Sequence, residues 1–103
     1  MAIGLPAYHE ERRKHGSTKE RCEEQVRQTL SRLPWIEIAY LKEAFDYRTG
    51  GTILTHAERI IVYVGNTEIL VKSACLNPAQ FLDFGKNKKN VVEFFKKYDN
   101  LEV

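Results

Sequence analysis

The run from Arg59 to Cys75 constrains this chain more than any other: Arg59-Ile60-Ile61-Val62-Tyr63-Val64, then Gly65-Asn66, then Thr67 through Cys75. β-Branched and aromatic side chains suit a half-buried pleated surface, and a Gly-Asn pair between two such runs suits a tight hairpin. The pattern predicts one strand over Thr52 to Val64 and a second over Thr67 to Cys75. A further strand, Trp35 to Leu41, precedes them and continues through Phe45 and Tyr47 to a turn at Arg48-Thr49-Gly50-Gly51.

Alternation along a strand then sorts side chains onto two faces. With Gly65 and Asn66 as the whole loop, Val64 stands opposite Thr67, Val62 opposite Ile69 and Ile60 opposite Val71. Together with Ala39 and Leu41 these make a dry face suited to packing under helices. The other face takes Ile38, Tyr40, Ile61, Tyr63 and Leu70, together with Lys42, Arg59 and Lys72. Cations gathered on one sheet face repel one another, so an anion there would be stabilising. Tyrosines beside cations can stack bases and contact phosphates, which points to RNA or DNA. The same Tyr40, Tyr63, Ile38, Ile61 and Leu70 also suit a protein contact, with a partner or with a second copy of the chain.

Helices flank the strands. Ser17-Thr18-Lys19-Glu20 has the form of a capping box, and Cys22, Val26, Thr29, Leu30 and Leu33 follow one helical stripe that Pro34 ends. After the strands, Asn77-Pro78 predicts a short helix from Pro78 to Phe84 closed by Gly85. A last helix runs from about Lys88 to Tyr98, with Val91, Phe94, Phe95 and Tyr98 as its apolar stripe. The predicted fold is a two-layer α+β domain in the order α-β-β-β-α-α: N-terminal helix, three-stranded antiparallel meander, short helix and C-terminal helix. Residues 17–103 form this single domain, and residues 1–16 read as an arm, flexible or ordered on a partner.

Charge is informative only locally. The 103 residues carry 16 Lys and Arg against 14 Asp and Glu, a formal net charge of +2. Yet Lys86, Lys88 and Lys89 crowd the start of the last helix, where the helix dipole disfavours positive charge unless an anion binds there. Arg12, Arg13 and Lys14 add a basic run in the arm. A helix, three strands and a helix opening on Gly85-x-x-Lys88-Lys89 resembles the double-stranded RNA-binding domain. The resemblance implies that Lys88 and Lys89 contact phosphates; it is one of topology, interrupted by the segment from Asn77 to Phe84.

The sequence supplies no catalytic motif: no GxSxG, Walker loop or GxGxxG occurs. An acid-x-Lys triplet of the kind metal-dependent nucleases use is also missing, which leaves only the scattered acids Glu24, Asp46 and Glu68 for such a site. His9, His15 and Cys22 match no common zinc spacing, and His56 reads as a structural strand histidine. Cys22 and Cys75 read as small buried hydrophobes without a cofactor or redox role. No stretch is long and apolar enough to span a membrane, so a cytoplasmic location is expected. The residues point to a small non-enzymatic domain contacting nucleic-acid phosphates through Lys86, Lys88 and Lys89, assisted by Lys42, Arg59, Lys72, Arg12, Arg13 and Lys14. A protein-interaction module using the tyrosine-bearing sheet face is the alternative.

Overall fold

The computed structural model describes residues 8–41, 44–49, 58–75 and 86–101. Its elements are β1 (Tyr8–Lys14), α1 (Lys19–Ser31), β2 (Trp35–Leu41), β3 (Ala44–Thr49), β4 (Glu58–Val64), β5 (Glu68–Cys75) and α2 (Lys86–Asp99). The fold is α+β. All neighbouring strands are antiparallel, in the spatial order β1-β5-β4-β3-β2.

This architecture corrects the predicted order twice. Tyr8–Lys14, expected within an arm, pairs with Glu68 to Ala74 of β5 as an edge strand. A strand dominated by His, Glu, Arg and Lys shows no apolar periodicity, yet it suits an exposed edge, where charge deters pairing with other chains. The single strand expected after Pro34 is two strands, β2 and β3, folded on each other. The predicted helix at Pro78–Phe84, the Gly50-Gly51 turn, His56 and Lys42 lie outside the described residues.

The hairpin between β4 and β5 forms at the expected place with a different register. Val64 pairs with Ile69, Val62 with Val71 and Ile60 with Ser73, two residues along from the two-residue-loop pairing. Because side chains alternate with period two, a shift of two leaves every β4 and β5 residue on its predicted face. Ile60, Val62, Val64, Ile69 and Val71 are all buried.

Both helices cover that one face. α1 presents the stripe read from the sequence, with Cys22, Val26, Thr29 and Leu30 buried; Thr18 rather than Ser17 caps it, its hydroxyl accepting from the Arg21 amide at 3.1 Å. α2 buries Val91, Phe94 and Phe95, and Phe94 meets Phe95 edge-on with ring centroids 5.3 Å apart. Phe45 of β3 completes the core. Arg13 of β1 also points to the helix layer: its guanidinium lies 4.1 Å from the Phe95 ring centroid and pairs with Asp99.

Tyr98 joins the helices by donating to Gln25 Oε1 at 3.0 Å, with the Cys22 thiol 3.6 Å from its hydroxyl. Burial, then the Cys22 contact, raises the Tyr98 pKa above the ordinary tyrosine value. Its contribution to stability is therefore full below about pH 10, the unfolded value, and is lost as pH rises beyond it, because only the unfolded chain can then release the proton. Urea titrations from pH 8 to 11 should show wild-type stability falling in the alkaline range and Tyr98→Phe falling less. Identical slopes would contradict this coupling.

Candidate functional site

Among the described residues, no element covers the face opposite the helices. Cross-strand rows define it: Ala44, Tyr63, Leu70 and Arg12 in one; Asp46, Ile61, Lys72 and Glu10 in the next; Ile36, Arg48, Arg59, Ala74 and Tyr8 in the third. Tyr63 is 43% exposed, Ile36 45%, Ile38 48% and Tyr8 50%, values far above those of the buried core opposite. Ile61 and Leu70 are half-buried between them.

One expected member is on the other side. The register of β2 against β3 shifts between Glu37 and Ala39, leaving Ile38 in a bulge, so Tyr40 pairs with Phe45 of the core. Its ring lies 4.7 Å from that of Phe45, and its hydroxyl donates to Glu23 Oε2 of α1 at 3.1 Å. Desolvation, then the Glu23 hydrogen bond, raises the Tyr40 pKa. Tyr40 and Tyr63 are therefore on opposite faces and cannot stack successive bases on one platform.

Two cations of the open face, Arg59 and Arg12, pair with carboxylates of the same chain. Arg59 makes a bidentate pair with Asp46, Nε to Oδ1 at 2.9 Å and the second nitrogen to Oδ2 at 2.6 Å. That pair raises the Arg59 pKa, through the hydrogen bond first and the charge second. Arg12 lies 3.6 Å from Glu68, Lys14 stands opposite Glu68, and Lys72 stands between Ile61 and Glu10 with its ammonium 5.4 Å from the Tyr8 ring centroid. Arg59 and Lys72 are not directly opposite, contrary to the two-residue-loop register. At Arg59 the charge that favoured an external anion is thus met internally by Asp46 of β3, and at Arg12 by Glu68 of β5, while Arg48 stands directly opposite Arg59.

A second site lies on the helix side, where β2 and β4 begin, β3 and β5 end, and α2 starts. Glu58, Ser73 and Asn87 are almost wholly buried and Asn90 nearly so. Ser73 donates to Asn87 Oδ1 at 2.7 Å, and Asn90 Nδ2 donates to Ser73 Oγ at 3.2 Å and to Glu58 Oε1 at 3.0 Å. Thr49 accepts from the Glu58 amide at 2.9 Å and donates to Glu58 Oε1 at 3.3 Å. Asn87 also reaches the half-buried Cys75 thiol at 3.5 Å. Lys86 Nζ lies 3.2 Å from Glu58 Oε2. The lysine cluster at the start of α2 therefore already has an anion, the chain's own carboxylate, and Lys86 is committed to it.

Lys88 and Lys89 are exposed in the same turn and make no ion pair among the described residues. They sit in the helix layer, whereas Arg59, Lys72, Arg12 and Lys14 lie on the far face of the sheet. The nine cations proposed from sequence thus separate into two surfaces, with Arg13 packed against α2, Lys86 paired to Glu58 and Lys42 undescribed. Among the described residues no three His, Cys, Asp or Glu side chains converge as a metal site, and Glu24, Asp46 and Glu68 are not brought together. No described helix is long and apolar enough to cross a membrane.

Sequence reading missed Glu58, Ser73, Asn87, Asn90 and Thr49. Each is polar, and although Glu58 and Ser73 lie within predicted strands and Asn90 within the predicted last helix, hydropathy alone does not count a polar residue toward a core. One signal was available: Asn87, Asn90, Val91 and Phe94 share helical spacing, so the buried stripe of α2 begins with two amides. A scan against protein-family models, a search of curated proteins and a search of solved structures each found no match to this chain.

Proposed function

We infer that this chain is a protein-interaction module that associates through its open sheet face, and that the partner is a second copy of itself. The observation that carries the inference is the uncovered face itself: Ile36, Ile38, Ile61, Tyr63 and Leu70 stand on a sheet whose other side holds both helices. Five strands of about seven residues outline roughly 24 by 23 Å, or about 550 Å² before side-chain relief is counted. Standard interfaces take about 800 Å² per partner, so a face of this size can supply most of one partner's share.

Charge argues for a protein occupant and for self-pairing. Glu10, Asp46 and Glu68 lie among Arg12, Lys14, Arg48, Arg59 and Lys72, so a polyanion would meet three carboxylates while a twofold-related copy would meet both signs. Aliphatic side chains outnumber the aromatic ones there and offer bases little to stack on. Sedimentation velocity over a concentration series tests the inference, which requires a dimer.

Nucleic-acid binding remains a second reading because of Lys88 and Lys89, which are exposed and make no ion pair among the described residues. It predicts that a single-stranded RNA of about 20 nucleotides binds at low salt and that Lys88→Glu with Lys89→Glu weakens it at least about tenfold. Removing each phosphate-binding lysine should also flatten the salt dependence by about 0.7 in the logarithmic slope. Failure of the wild type to bind RNA or DNA at low salt would end this reading and leave the dimer prediction untouched.

A further inference from the structure

We propose that the corner where Glu58 meets α2 is a binding site for a guanidinium or primary ammonium group. A cavity of about 360 Å³ opens there, lined by Pro34, Trp35, Thr49, Glu58, Lys86 and Asn90. That is about a dozen water volumes and lies in the range of small-ligand sites. It is on the helix side of the sheet, away from the dimer face, and does not depend on it.

Hydrogen-bond accounting sets the ligand's chemistry. Both Asn90 amide protons are used, one on Glu58 and one on Ser73, and the Thr49 proton goes to Glu58. What remains is acceptor capacity. Among the described residues, Glu58 Oε2 receives no hydrogen bond and faces only the Lys86 ammonium, 3.2 Å away on a side chain that is half exposed. A buried carboxylate oxygen has room for about two donors, and leaving it so poorly served is costly. Holding α2 to the sheet does not require a charge, since the neutral Ser73, Asn87 and Asn90 set already makes that connection. A ligand donor that displaces Lys86 outward would complete Oε2, in a cavity whose wall includes Trp35. A guanidinium matches the carboxylate in geometry as well as charge.

The single Trp of the chain makes the test direct, because its indole N–H gives one resonance in a ¹H–¹⁵N spectrum. Titration with N-acetylarginine amide should shift that resonance saturably, and N-acetylcitrulline amide, of the same shape without the charge, should bind at least tenfold more weakly. Lys86→Ala removes the competing ammonium from an exposed position and should tighten binding severalfold; Glu58→Gln should abolish it. Acetyl-Gly-Arg-Gly-amide separates the sources: tighter binding than N-acetylarginine amide identifies an arginine side chain of a protein, and weaker binding identifies a free small molecule. No saturable shift, equal response to the charged and uncharged probes, or weaker binding by Lys86→Ala would overturn the proposal, even if Glu58→Gln fails to fold.

Discussion

The double substitution Ile61→Glu and Tyr63→Glu should yield a folded monomer. Both residues sit on β4, the central strand, facing away from the helices, and neither belongs to the buried core. Helical and strand signatures should therefore persist, with stability changed little, since substitutions outside cores and special backbone positions are usually mild. Assembly should not survive. Central apolar anchors at an interface contribute about 2 kcal/mol or more each, and a twofold interface uses each of them twice. Four carboxylates would also have to be buried near one another. At about 1.4 kcal/mol per tenfold change, the dissociation constant should rise more than about a thousandfold. Tyr40→Phe is the matched control: it changes a tyrosine on the helix side, where it removes only the hydrogen bond to Glu23, and it should leave the dimer intact.

Phe94→Ala should cost about 3–5 kcal/mol of folding free energy. Phe94 is wholly buried, meets Phe95 edge-on and lies 6.0 Å from the Tyr98 ring, so its removal opens a cavity where α2 joins both α1 and the sheet. Domains of this size hold only about 5–15 kcal/mol in total, and small ones tend to the lower end. Chemical denaturation should show the midpoint fall sharply, with the Trp35 environment and the Glu58 cluster loosening together because α2 carries Lys86, Asn87 and Asn90. A change below about 1 kcal/mol would mean that the helix layer is not what holds the sheet.

Much of this arrangement was legible in the residues, in proportion to how far each element depends on its own pattern. The α1 stripe of Cys22, Val26, Thr29 and Leu30 and the α2 stripe of Val91, Phe94 and Phe95 bury as their spacing requires. The faces of β4 and β5 follow from alternation alone and survive an error of two residues in register. Three features were not legible. β1 is an edge strand, built from charged residues that carry no periodicity, and only its pairing with β5 defines it. The separation of β2 from β3 lies at Lys42 and Glu43, which carry no Gly, Pro or Asn turn signal, and the bulge at Ile38 reverses Tyr40 with it. The Glu58 cluster depends on long-range contacts such as Asn90 with Glu58, 32 positions apart, which no local window contains.

These misses share a consequence for function. Arg59, Arg12 and Lys86 read as cations in need of an external anion because Asp46, Glu68 and Glu58 were not yet placed beside them. Once they are placed, what remains unexplained on the sheet is apolar surface, and on the helix side a carboxylate oxygen with too few donors. The first leads to the dimer and the second to the proposed cation site.

Sedimentation velocity of the wild-type chain from low micromolar to near-millimolar concentration tests the central claim most directly. The open sheet face predicts a species of twice the 12.0 kDa chain mass that converts to monomer on dilution and is absent from the Ile61→Glu, Tyr63→Glu variant over the same range. A wild-type chain that stays monomeric throughout, or a dimer that the double substitution leaves unchanged, would contradict it.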